Sequence, residues 1–213
     1  MTTQKEWDKV WAAVRELSDT YPSDVVVIGG VAVYLHAKAS SSLPVEFTHD
    51  ADMSVGLASW GDLREHYEVV INRRLSKAQI TLGGVEVDLY PEHNNSLRID
   101  FAELAMASDV IDGVRVASLG HLLLLKLNAT AERWNSAHGA KDRRDVAKLL
   151  VLLEDAPADA VLSLATDADM ELLVKVLKSN AFTEIAQRNA KLASRFRKAA
   201  TAFVTRLAAE MTS

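Results

Sequence analysis

Between Val25 and Val55 an apolar run ends in a glycine pair, and about twenty residues later two aspartates stand separated by a single residue. Val25-Val26-Val27-Ile28 is β-branched throughout, which predicts a buried strand. Gly29-Gly30 then permits a tight turn, and Val31 to Tyr34 starts a helical pattern. A strand, a glycine turn and a helix N-terminus together let backbone N–H groups approach phosphate oxygens closely. After a loop through Ser40-Ser41-Ser42-Leu43-Pro44 comes Thr48-His49-Asp50-Ala51-Asp52-Met53-Ser54-Val55. In an extended chain side chains alternate, so Asp50, Asp52 and Ser54 face one way and Ala51, Met53 and Val55 the other.

Two carboxylates converging on one patch repel each other, and the arrangement asks for a cation between them. Hard oxygen donors select magnesium or manganese, and magnesium is commonly held by one or two carboxylates plus substrate phosphates. A phosphate-binding turn beside such a pair points to a nucleoside triphosphate site.

Composition narrows the field. The chain has no cysteine, which excludes disulfides, thiolate zinc sites and cysteine nucleophiles. Its 213 residues, 49% hydrophobic, suffice for one large domain or two small ones. The segment from Thr2 to Thr20 alternates charged and apolar residues at helical spacing, so neither a signal peptide nor a membrane span is expected there, and the location expected is the cytoplasm. The net charge of −5 is unevenly spread: from Glu171 onward there are eight Lys or Arg against three acids. A basic end of this kind suits a polyanionic partner.

In chain order, Gln4 to Asp19 predicts an amphipathic helix with Trp7, Val10, Trp11, Val14 and Leu17 on its core stripe. Trp60 to Glu65 reads as helix and Glu68 to Ile71 as a short strand. Ala78–Leu82 and Val85–Tyr90 are alternating runs joined by Gly83-Gly84, the signature of a two-residue hairpin. Asp88 and Glu86 share a face of the second run, and Asp88 becomes a third carboxylate if that run lies beside the Asp50 strand. Asp112-Gly113 marks a second hairpin. Helices follow over Leu122–Trp134 and Ala140–Leu153, with Ser118 as a plausible N-cap for the helical part. Shorter helices come after Pro157, then a long last helix over Phe182–Glu210. This predicts a mixed sheet of five or six strands followed by a helical region.

Gly29-Gly30, Asp50-Ala51-Asp52 and the later Asp88, in that order, resemble the polymerase-β-like nucleotidyltransferase superfamily. Leu125-Lys126-Leu127-Asn128-Ala129, Arg133 and Lys141-Asp142-Arg143-Arg144-Asp145-Val146 are similar to the abortive-infection nucleotidyltransferase toxins of type IV toxin–antitoxin systems. The resemblance runs from about Val25 to Leu150. It implies an α+β fold in which a mixed-sheet nucleotidyltransferase core with flanking helices (1–117) precedes a C-terminal helical bundle (118–213). The implied activity is transfer of a nucleotide (NMP) from an NTP to an RNA (tRNA) or protein acceptor with Mg2+ or Mn2+. The implied partner is an antitoxin protein. Asp50, Asp52 and Asp88 would hold metal, Asp88 also helping to deprotonate the acceptor. Gly29, Gly30 and Thr48 would contact the nucleotide. Lys126 would be a phosphate ligand and Arg133 a weaker one. Asp142 would orient a basic residue or the nucleotide.

Glu46 departs from the pattern, since many relatives carry arginine two positions before the threonine. Either Lys38 or another base substitutes, or Glu46 points away. Two alternatives therefore stand beside the first reading: a binding module of this fold without catalysis, and transfer to a small molecule such as an antibiotic. Thr166-Asp167-Ala168-Asp169 repeats the acidic motif superficially but precedes an apolar helical pattern, and reads as an N-cap followed by first-turn acids. The six histidines lack zinc spacing, and no Walker lysine motif is present. Arg188, Lys191, Arg195 and Lys198 line one face of the last predicted helix, as a solvated stripe or a surface for tRNA or an acidic partner.

Overall fold

The computed structural model describes residues 2–212 apart from Ser41, Ser42, Leu75, Asn94, Ala137 and Pro157. The predicted serine loop at 41–42 and the break at Pro157 thus fall outside the described residues. The chain divides into two compact units, Met1–Leu35 with Glu46–Ser118, and His36–Val45 with Leu119–Ser213.

The first unit contains α1 (Gln4–Thr20), β1 (Val25–Ile28), the start of α2 (Gly29–Ser40), β2 (Ala51–Val55), α3 (Leu57–His66), β3 (Val70–Asn72), β4 (Lys77–Leu82), β5 (Val85–Pro91), α4 (Phe101–Met106), β6 (Asp109–Ile111) and β7 (Val114–Val116). Helix α1 begins where the sequence supplies a capping box: the Thr3 hydroxyl accepts from the Glu6 N–H, and the Glu6 carboxylate accepts from the Thr3 N–H. Its apolar stripe is buried, and Trp7 packs against Tyr34 and Phe47 at ring-centroid distances of 4.0 and 5.4 Å. The tryptophan is a core residue, and its large apolar area anchors the helix there.

The strands form one mixed sheet in the order β3-β4-β5-β2-β1-β7-β6. Among the described residues the sheet has seven strands where five or six are expected; the short strand read at Glu68–Ile71 is β3, and the two arms of the Asp112-Gly113 hairpin are β6 and β7. In the centre β1 runs antiparallel to β2, and β2 runs parallel to β5. All four residues of β1 are buried, as expected of a central strand. Gly83 and Gly84 both have positive φ (59° and 79°), which gives the β4–β5 turn the twist a two-residue hairpin needs. Asp112-Gly113 turns β6 into β7 in the same way.

The second unit is helical: α5 (Leu119–Arg133), α6 (Gly139–Leu152), α7 (Asp159–Leu162), α8 (Asp167–Leu177), α9 (Ala181–Ile185) and α10 (Ala190–Met211). Its core includes Leu122, Leu149, Leu173, Phe182, Phe196 and Phe203, all at most 2% exposed. Thr166 caps α8 through a capping box closed by Asp169, so the second acidic motif is a helix start. One expectation is corrected. The long last helix is broken between α9 and α10, where Gln187 and Arg188 take positive φ (50° and 64°). Asn189 then restarts the helix by accepting the Leu192 N–H at 3.0 Å. Among the described residues no helix is long and apolar enough to cross a membrane.

Candidate active site

The site in the first unit is built on one row of the sheet. Ile28 pairs with Asp52, Asp52 with Asp88, and Asp88 with Gln79, so the row crosses β1, β2, β5 and β4. At its β1 end the chain turns sharply at Gly29, whose φ is +66°. A Cβ placed there would lie 2.0 Å from Asp52 Oδ2 and 2.6 Å from its Cγ. Glycine is therefore required twice, by the left-handed backbone and by the carboxylate lying against it. The Tyr90 hydroxyl, two residues beyond Asp88 on the same face, donates to Asp52 Oδ1 at 3.5 Å.

Asp50 lies just before β2 and is exposed. The buried Thr48 donates its hydroxyl to Asp50 Oδ1 at 2.6 Å, which restrains the carboxylate. Gly30 is buried, and Glu46 is half-buried.

Asp88 is 7% exposed and sits directly beside Asp52. Like charges in facing positions destabilise a strand pair unless something neutralises them. Here β4 supplies the neutralising groups: Lys77 Nζ donates to Asp88 Oδ2, and Gln79 Nε2 donates to Oδ1 at 3.2 Å. Lys77 also borders a cleft of about 380 Å³ lined in part by Trp60, Arg64, Asn72 and Arg73. Among the described residues no group of three or more His, Asp or Glu side chains is arranged to hold one metal ion. Asp52 and Asp88 are brought together, but Asp88 is committed to β4.

Lys77, Gln79 and Tyr90 were not singled out from the sequence. Gln79 was legible, because a two-residue turn at 83–84 places residues 79 and 88 opposite each other. Lys77 lies two residues further along the same face, where a strand lysine ordinarily means solvent.

Within the second unit, Lys126 is 8% exposed and its Nζ donates to Asp145 Oδ2 at 2.9 Å. Lys148 Nζ lies 3.9 Å from the other oxygen of Asp145. One turn before Asp145, Asp142 takes Arg133: Nη2 donates to Oδ1 at 3.2 Å, and Nε forms an ion pair with Oδ2 at 3.1 Å. Lys126 and Arg133 on α5 thus meet Asp145 and Asp142 on α6. Thr130, between them, donates to the Lys126 carbonyl at 2.7 Å. Two cations lie over the Trp134 ring, Lys175 Nζ at 4.0 Å and Arg143 Cζ at 4.8 Å from its centre. Arg188 and Lys198 of the basic stripe line a shallow groove with Arg197, Thr183 and Ser194.

No protein-family profile matches the chain, and no curated protein matches it. Solved structures do. An antigenic nucleotidyltransferase-like protein from Paracoccidioides brasiliensis aligns with a TM-score of 0.57 at 18% identity, over 92% of this chain and 94% of that one. JHP933 from Helicobacter pylori aligns at 0.55 and 13% identity, over 100% of this chain and 95% of its own. A candidate nucleotidyltransferase from H. pylori aligns at 0.51 and 14%, over 99% and 98%. At these identities the likeness is one of fold, and the fold is that of nucleotidyltransferase-like proteins, an α+β arrangement around a mixed sheet.

Proposed function

We propose that the chain is a metal-dependent nucleotidyltransferase that moves a nucleoside monophosphate from a triphosphate to an RNA, tRNA in particular, or to a protein. The observation that supports it is the row joining the Gly29 turn, Asp52 and Asp88 on a sheet of nucleotidyltransferase-like fold. The order of the motifs in α5 and α6 supports a finer reading, that of a toxin held in check by an antitoxin protein.

The donor set fits a hard divalent cation. Asp50 and Asp52 flank the start of β2 with hard oxygens, and two protein carboxylates plus substrate phosphates are what magnesium ordinarily takes. Such an ion, when bound, neutralises charge that builds on the transferring phosphoryl group. The chain's own part is to orient. Thr48 sets Asp50, while Tyr90 and the Gly29 backbone set Asp52. Backbone N–H groups at the start of α2 are suited to phosphate oxygens.

The test is incubation with magnesium, labelled triphosphates and total tRNA. Wild type should transfer label and Asp50→Ala should not; equal labelling by both sinks the proposal. Label entering only a small acceptor would favour the antibiotic-type transfer instead.

A second reading, a nucleotide-binding module without catalysis, is favoured by Glu46 and by the commitment of Asp88 to Lys77. Calorimetry separates the two. The enzyme should bind triphosphate only with a divalent ion, whereas the module binds it in the presence of a chelator too.

A further inference from the structure

Asp88 is gripped from one side by two residues of one strand. Lys77 and Gln79 are two apart on β4, so they share a face, and each takes a different oxygen of the same carboxylate. The grip is set by register: Gln79 is the Cα partner of Asp88, and the Gly83-Gly84 turn leaves β4 no freedom to slide. It is also sheltered, since the Lys77 and Asp88 side chains are 19% and 10% exposed. In such a setting an ion pair is weakly screened, and removing either partner strands a charge.

The electrostatics of the row follow. Asp52 and Asp88 are neighbouring acids, and the ammonium of Lys77 already answers the second of them. A divalent ion arriving at Asp88 would have to displace that ammonium or sit beside it, and both cost free energy.

We propose that Lys77 is a built-in counter-cation: its ammonium stands at Asp88 in place of a second divalent ion, and nucleotide binds with one metal ion, held by Asp50 and Asp52. Lys77 is then a positioning residue that sets the metal count of the site. This rests on the nucleotidyltransferase reading above.

The experiment counts manganese. The full chain is titrated with Mn2+ in the presence of a non-hydrolysable triphosphate analogue, and bound ions are counted by electron paramagnetic resonance. Wild type should bind one ion per chain. Lys77→Met, which keeps an unbranched side chain one atom shorter and removes its charge, should bind two, and Lys77→Arg should return the count to one. Two ions in wild type overturn the inference while leaving the nucleotidyltransferase reading intact. One ion in both wild type and Lys77→Met overturns it as well, reducing Lys77 to an ordinary ion pair. No nucleotide-dependent ion in wild type removes the parent reading and this one with it. A wild-type count of two overturns the inference without any variant, and if Lys77→Met does not fold, Lys77→Gln takes its place in the comparison, again with two ions expected.

Discussion

Gly29 and Asp52 touch so closely that the site has no room for a methyl group between them. An added Cβ on Gly29 would fall 2.0 Å from Asp52 Oδ2, well inside any allowed contact. Gly29→Ala therefore strains the backbone, by about 1–2 kcal/mol for a left-handed residue bearing Cβ, and also drives Asp52 off its position. A shift of about 1 Å at a reacting centre is worth roughly 100-fold in rate. We expect kcat/KM for nucleotide transfer to fall by about that factor, with a smaller loss in thermal stability. A steady-state assay beside a melting curve checks both.

In α6, Asp145 lies within ion-pair reach of two buried ammonium groups, Lys126 at 2.9 Å and Lys148 at 3.9 Å. Removing it leaves both without that carboxylate, so Asp145→Ala should destabilise the fold by about 3–5 kcal/mol. Pairing Asp145→Leu with Lys126→Met should recover part of the loss, because an apolar pair of similar volume replaces the buried charges. Urea midpoints of the single and double variants measure the difference.

Alkaline stability should depend on Tyr21. Burial, together with the hydrogen bond to Asp62 Oδ2 at 2.5 Å, raises the pKa of its hydroxyl above the ordinary 10. Below the ordinary value both folded and unfolded chains hold the proton, and the contribution is complete. As pH climbs past it, the unfolded chain releases the proton and the folded one keeps it, so stability falls. Tyr67, raised by burial and by Glu16, adds to the same decline. Tyr21→Phe should flatten the fall in unfolding free energy between about pH 9 and about pH 11 without abolishing it. Denaturant titrations across that range read it out.

What was legible in the sequence was local. The helix start at Thr166, and the Gly83-Gly84 and Asp112-Gly113 turns, are written in residue types whose backbone or side-chain chemistry permits few alternatives. The pairing of β2 with β5 is not local: residues 56–84, with two further strands, intervene, and no periodicity says which strand lies beside Asp52. That neighbourhood was reachable only through the resemblance, whereas the grip of Lys77 on Asp88 lies within the local β4–β5 hairpin. Helix α4 went unseen because six residues hold too few turns to show a period. The break before α10 went unseen because Gln187 and Arg188 carry no signal for positive φ, and only Asn189 hints at a fresh start.

The sheet's two borders, β3 and β6, are three residues long each, and they leave Val70, Ile71 and Val110 open to solvent. A visiting strand would find too few backbone groups there to zip onto before reaching Arg73-Arg74 beyond β3 or Asp112 beyond β6. The greasy margin is thereby kept from seeding aggregates, and the long, sticky ladders stay locked in the middle, where only this chain can use them.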